Sequence, residues 1–288
     1  RYVFRAFEQY TPWVRKIHFV TWGHLPEWLN TSHPKLNIVK HEDYLKAENL
    51  PTFNSHSIEI NMHRISGLSN KFVYFNDDMF LLRPTKAKRF FKNGVPRDIL
   101  AFNVVSPTRE IGHIILNNVR VINKYFNKKR VIFTHFGKVF RPEYGIELIK
   151  TVLLLPWPQI TGFFDPHQPQ AFLKATFEEV WQKERELLER TSSSKFRNEN
   201  DVSQYLFRYW QLMTGNFCPV SFYDAYSTSI SSIEEAKAVA KLIANQSYRM
   251  LCINDAVVAS NEYIFQKVKS LISESFERIL PMKSTFEK

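Results

Sequence analysis

Cysteine is nearly absent: Cys218 and Cys252 are the only two in 288 residues, far apart and without metal-ligand spacing. That argues against a disulfide framework and fits a reducing, cytoplasmic setting. Both thiols read as small buried apolar side chains. Glycine is sparse, with eight residues, and none belongs to a Walker-type phosphate loop. C2H2 spacing and an RNP-like aromatic motif are also missing, which argues against nucleic acid as a partner. Long hydrophobic runs are lacking too. The greasiest stretch, Thr151 to Phe164, is shorter than a bilayer span and is broken by Pro156 and Pro158, so any membrane association is expected to be peripheral. Negative charge is in deficit, with 28 acidic against 39 basic residues and a formal net charge of +11. Such a balance points to anionic partners, whether phosphorylated substrates or an anionic membrane surface.

What is present is apolar and aromatic. Hydrophobic residues make up 44% and aromatics 15%, which excludes intrinsic disorder and supplies a substantial core. Strand signals near residues 16–21, 37–40, 71–76 and 99–104 are interleaved with a helix signal near 55–65. This pattern predicts an α/β fold with a mainly parallel sheet flanked by helices. A helix is expected over 113–126 and irregular connections over 141–169. From Pro169 one long helix is predicted, carrying Phe172, Phe177, Val180, Trp181, Leu187 and Leu188. A polar break over 191–200, a helix over 205–213, a returning strand over 248–253 and a final amphipathic helix follow. The expected organisation is an α/β core over 1–165, a helical insertion over 166–245, and a strand and helix over 246–288 that complete the core. The chain opens at Arg1 as though inside an amphipathic helix, so the native start is expected upstream.

Residues 71–82, Lys-Phe-Val-Tyr-Phe-Asn-Asp-Asp-Met-Phe-Leu-Leu, carry the strongest chemical signal. An apolar strand delivers Asn76, Asp77 and Asp78 beyond its carboxyl end, where ligands of parallel sheets gather. Strand alternation sends successive side chains to opposite faces, so the two acids converge on one Mg2+ or Mn2+ only if the chain turns there. A turn in which Asn76 and Asp77 merely satisfy backbone donors is the even alternative. Asp165-Pro166-His167 places an imidazole in a Pro-restricted turn, as an acid/base or phosphate contact or as a residue that only caps and packs. Ser192-Ser-Ser-Lys-Phe-Arg197 ends in a guanidinium able to fork onto phosphate, or is a solvated linker. Asn254-Asp255 closes the returning strand as a further metal ligand or a turn former. Asn54 or Ser55 starts a helix that also carries His56, Glu59, His63 and Arg64, as a diphosphate donor or a structural cap.

In order along the chain these segments resemble the Stealth family of sugar-phosphate transferases. That family includes bacterial capsular and exopolysaccharide phosphotransferases and is similar to the catalytic subunit of the lysosomal-enzyme N-acetylglucosamine-1-phosphotransferase. Its second block resembles Tyr10-Thr-Pro-Trp-Val-Arg-Lys-Ile17, Trp28-Leu-Asn30, Leu50-Pro-Thr-Phe-Asn54, His63-Arg-Ile-Ser-Gly-Leu68 and Tyr74-Phe-Asn-Asp-Asp-Met79. The third resembles His167-Gln-Pro169, Phe177-Glu-Glu-Val-Trp181, Thr191-Ser-Ser193, Phe196-Arg197 and Thr214-Gly215, and the fourth Cys252-Ile-Asn-Asp255. The family's first block, a hydrophobic strand leading to Val-Asp-Gly, is expected just before the second and is not found, so the chain reads as a fragment or as a variant with an impaired donor pocket. Gln168 stands where Met is expected.

The resemblance implies transfer of a hexose 1-phosphate from a UDP-sugar donor to a hydroxyl of an oligo- or polysaccharide acceptor, with release of UMP and support from Mg2+ or Mn2+. It implies Asp77, Asp78 and Asp255 as metal ligands, and His167, Arg197, Asp78 and Asp255 as catalytic residues. Arg15, Asn54, Asn76, Arg64 and Asn254 would bind substrate. A metal-dependent glycosyltransferase that releases UDP and a non-catalytic module for anionic polysaccharide are the competing expectations.

Overall fold

A computed structural model describes residues 1–108, 110–256 and 262–288. The chain starts with helix α1 (Tyr2–Tyr10), then strands β1 (Ile17–Thr21) and β2 (Leu36–Lys40), which pair in parallel. Asn54 caps α2 (Ser55–Glu59), its side-chain oxygen accepting the His56 backbone N–H. The helix expected to reach residue 65 splits into α2 and a 3₁₀ turn at Met62–Arg64. Between them Asn61 spends its amide on the Ser57 carbonyl and the Ser192 hydroxyl. Strands β3 (Lys71–Tyr74), β4 (Met79–Leu81), β5 (Phe91–Lys92) and β6 (Val95–Asp98) follow. Helices α3 (Glu110–Tyr125), α4 (Lys128–Thr134), α5 (Phe136–Val139) and α6 (Ile146–Leu153) come next. The second half holds β7 (Gln170–Leu173), α7 (Lys174–Lys183), α8 (Arg185–Ser193), α9 (Tyr205–Met213), β8 (Cys218–Pro219), β9 (Ala225–Ile230), α10 (Ile233–Ala244), β10 (Met250–Asp255) and α11 (Glu262–Ile279).

The fold is mixed α/β, but the sheet is not the mainly parallel one expected. The described residues form four small sheets, with parallel pairs β1–β2, β9–β10 and β6–β8 and antiparallel pairs β4–β10, β3–β7 and β5–β6. Two local misreadings account for part of the difference. Residues 99–104 form no strand beyond a single bridge from Phe102 to Phe163, because α6 covers them and Thr151 accepts the Phe102 N–H. Residues 170–173, expected as the start of a long helix, pair antiparallel with β3, Phe72 opposite Phe172. Gln211 of α9 braces that strand, accepting the Leu173 N–H and donating to the Ala171 carbonyl. The remaining helix breaks again at Glu184, whose φ of −123° and ψ of 38° are not helical.

The larger core is built around α9, all nine of whose residues are buried. A helix buried on every side needs cover all round, with partners for its polar residues Arg208 and Gln211. Phe207 stacks on Phe177 of α7 with ring centroids 3.8 Å apart. A second core joins α1, β4, β10, α10 and α11 through Ala6, Tyr10, Leu81, Ile243, Leu251 and Phe276. Arg208, the one charged side chain of α9, is 1% exposed; it forks onto Asp98 at 2.8 Å and reaches Asp165 at 2.6 Å. That bond anchors the loop leading to His167. Among the described residues no helix is long and apolar enough to cross a membrane.

Candidate active site

A tight turn joins β3 to β4, the Met79 N–H bonding the Asn76 carbonyl. The turn presses Asp78 against the returning strand, where its carbonyl accepts the Ile253 N–H at 2.9 Å. From β10 the Cys252 thiol donates to Asp78 Oδ2 at 3.2 Å. From the loop ahead of β7 His167 Nε2 lies 3.6 Å from the same oxygen. One ligand atom from each of Asp78, His167 and Cys252 falls within 4.8 Å of the others. Three segments far apart in sequence thus meet at one carboxylate.

His167 holds a backbone φ of 44°, a left-handed conformation that costs energy for any residue but glycine. Ser227 of β9 secures it, its hydroxyl 2.9 Å from the His167 carbonyl and 3.1 Å from that of Pro166. Gln168, where Met was expected, is a clamp: its amide donates to the Tyr226 carbonyl and to the Ser227 hydroxyl. Ser227 faces Cys252 across the β9–β10 pairing, so one cross-strand row supports both the thiol and the imidazole.

The charges reinforce each other. The Asp78 carboxylate 3.6 Å away holds the His167 imidazole above its usual pKa, against burial that pulls it down, and the carboxylates of Glu59 and Asp165 add to the rise. Burial alone would raise Asp78, but the nearby His167 and the hydrogen bond from Cys252 outweigh it and hold the carboxyl below its usual range. Burial, with Asp78 alongside, drives the Cys252 thiol far upward, so it stays protonated and serves as a donor. Asp78 Oδ1 is buried and accepts no hydrogen bond among the described residues.

Glu59 was named in the sequence without a role, and the structure brings it to this site. It is 8% exposed and accepts the Tyr74 hydroxyl at 2.7 Å. Burial pushes its carboxyl up to about 7, while the Tyr74 bond and the charges of Arg197 and His167 pull the other way. Ser55 and Glu59 lie one turn apart on α2, and Arg197 donates to the Ser55 hydroxyl at 3.0 Å. That spacing was the available signal for Glu59; for Cys252 the only signal was its place in the segment resembling the fourth block, since the cross-strand register is what aims it at Asp78. Beside Arg197, Phe196 stacks on Phe53 with centroids 5.4 Å apart, and both rings are largely exposed.

The other expected residues are placed differently. Asn54 is fully buried, and besides capping α2 it donates to Asp201 at 2.8 Å, bracing the loop that carries Arg197. Arg15 is exposed and reaches Ser69 ahead of β3, whereas the acids follow that strand. Arg64 stacks 4.2 Å over Trp181. Asp77 is exposed next to Asp78. Asn254 and Asp255 end β10, and strand alternation gives them opposite faces. Asp255 joins Ile253 on the face lined by Phe265, Val268 and Ile272 of α11, away from the side of Cys252.

Residues 1–98 match the family model described as Stealth protein CR2, conserved region 2. Along its whole length the chain is 42% identical to capsular polysaccharide phosphotransferase WcwK of Streptococcus pneumoniae, spanning 85% of that protein. It is 39% identical to exopolysaccharide phosphotransferase cps2G of Lactiplantibacillus plantarum, spanning 84% of it. Identity to receptor polysaccharide phosphotransferase WefC of Streptococcus gordonii is 36%, spanning 85%. Asp78 lies inside the matched region, His167 and Cys252 lie beyond it, and all three meet at one site in a chain similar to these proteins from end to end: the chain belongs to the Stealth family of sugar-phosphate transferases.

Proposed function

We propose that this enzyme transfers a hexose 1-phosphate from a UDP-sugar to a hydroxyl of a growing cell-surface polysaccharide, forming a phosphodiester and releasing UMP. The observation that carries this reading is the His167–Asp78 pair, whose imidazole is oriented and charge-supported by a carboxylate 3.6 Å away. With Nε2 turned to Asp78, Nδ1 is the nitrogen left to take a proton. The acceptor oxygen attacks the phosphorus that carries the sugar as its proton passes to His167. The bond from that phosphorus to the bridging oxygen breaks, and UMP leaves with the oxygen. Asp78 stabilises the resulting imidazolium, and Arg197 faces the phosphate charge, held in place by Ser55 and the field of Glu59. The exposed Phe53–Phe196 pair beside Arg197 offers an apolar face to a sugar ring.

Asp77 and Asp78 are the residues that would hold Mg2+ or Mn2+. The buried, unpartnered Asp78 Oδ1 would supply the hard oxygen that such ions require. The ion would neutralise diphosphate charge. Asp255, on the α11 face, is left out of this set, as is the protonated Cys252.

The test is a product assay with a panel of UDP-hexoses, Mg2+ or Mn2+ and oligosaccharide acceptors, read by mass spectrometry and ³¹P NMR. UMP together with a new phosphodiester is the expected result. UDP with a simple glycoside would make the enzyme a glycosyltransferase, and metal-dependent donor binding without turnover would favour a binding module.

A further inference from the structure

Helix α6 is built inside out. Its polar residues Glu147 and Thr151 are buried, Thr151 accepting the Phe102 N–H and donating to the Glu147 carbonyl. Its apolar residues Ile146, Ile149, Val152 and Leu153 are 46–67% exposed. Trp157, between two prolines just beyond the helix, is 54% exposed. Helix α4 adjoins this surface, since Lys128 donates to the carbonyls of Leu154 and Trp157. Phe133 at the end of α4 and Phe136 at the start of α5 are 86% and 62% exposed. Exposed apolar side chains spaced along one helix and its following corner, with two further exposed rings on the adjoining segment, are costly to leave in water and mark an interaction surface.

The surrounding charge selects the occupant. Of the six Lys and Arg in residues 128–159, Lys128 is buried and Lys138 is spent on the Gly215 and Phe217 carbonyls. Glu143 is paired with Arg141 at 2.7 Å, and Glu147 with Lys150 at 2.8 Å. Lys129 and Arg130 are exposed beside the patch. A two-fold dimer through this face would set the same cations against each other. An anionic bilayer complements them, accepts protruding apolar side chains without a matching groove, and suits a tryptophan at headgroup depth. We infer that α6, the Pro156-Trp157-Pro158 corner and the adjoining α4–α5 segment form a docking surface for anionic lipid membranes, with Ile149, Leu153 and Trp157 inserted and Lys129 and Arg130 on the headgroups.

The test is flotation of the full chain with vesicles of phosphatidylcholine containing phosphatidylglycerol, against phosphatidylcholine alone, with light scattering on the lipid-free protein. The expected result is a monomer that floats with the anionic vesicles. I149E/L153E should lower partitioning about tenfold or more at unchanged circular dichroism, and K129E/R130E should remove most of the salt-sensitive part. Absence of flotation, or flotation that both variants leave unchanged, overturns the inference. So does a dimer that I149E/L153E dissociates without any flotation, which would assign the face to a second copy of the chain.

Discussion

His167 and Asp78 depend on each other for charge, and that dependence is measurable. His167 is raised and Asp78 lowered, so both are charged between those two limits. The His167 contribution to stability is complete below the ordinary imidazole value and is lost as pH rises through its raised pKa. The Asp78 contribution is lost as pH falls through its lowered one. Asp78→Asn should therefore depress Tm most near about pH 5 to 6 and least near about pH 9. In kcat/KM profiles the same variant should lose activity by about 10²- to 10⁴-fold and move its acidic limb to lower pH, because His167 loses the partner that raises it. An unmoved limb would rule out the dyad. Glu59 has the sign of His167, opposite to that of Asp78. With its carboxyl raised to about 7, its folded form favours the proton, so that stabilisation is present below the ordinary glutamate value and fades as pH rises through about 7. Glu59→Gln should stabilise the chain at pH 8 by on the order of 1–3 kcal/mol in urea titrations while turnover falls. His167 and Asp78 could be read from the sequence because a Pro-restricted histidine and a strand-end acid pair are local patterns. Glu59 and Cys252 are brought beside them only through packing.

At the scale of the element, α2 and the 191–201 segment form one unit through Asn54. This residue caps α2 and bonds both Asp201 and the Phe196 carbonyl. Asn54→Ala should cost about 1–3 kcal/mol, and hydrogen exchange should quicken over 194–201. Arg197 would then lose its fixed position, so KM should rise more than kcat falls. The cap was legible because Asn before Ser-His-Ser is a local signal. Strand β7 was not: Ala171, Phe172 and Leu173 satisfy a helical period as well as a strand period, and only the β3 edge with Gln211 behind it decides between them.

At the scale of the molecule, Arg208 ties α9 to the end of β6 and to the loop before His167. Arg208→Ala would leave Asp98 buried and Asp165 half-buried without their counterion, which should cost about 3–5 kcal/mol by denaturant unfolding. The loss should exceed that of removing a surface arginine such as Arg15 by several-fold. The two larger cores also interleave along the chain. The core around α9 draws on residues from Val39 to Phe217, while the other combines Ala6 through Phe90 with Ala171 and Ile230 through Leu280. Segments from these regions meet at Asp78, His167 and Cys252.

The sequence alone determined the mixed α/β class, the turn that presents Asp78, the α2 cap, helix α9 and the family, because each rests on local periodicity, turn chemistry or ordered motifs. Only the tertiary structure decided which strands pair in which direction, that residues 170–173 are extended, that Asp255 and Cys252 take opposite faces of β10, and that Glu59 joins His167 and Arg197. Those outcomes depend on register and burial between residues far apart in the chain. The short strands here, two to six residues long, carry too little side-chain pattern to specify their partners.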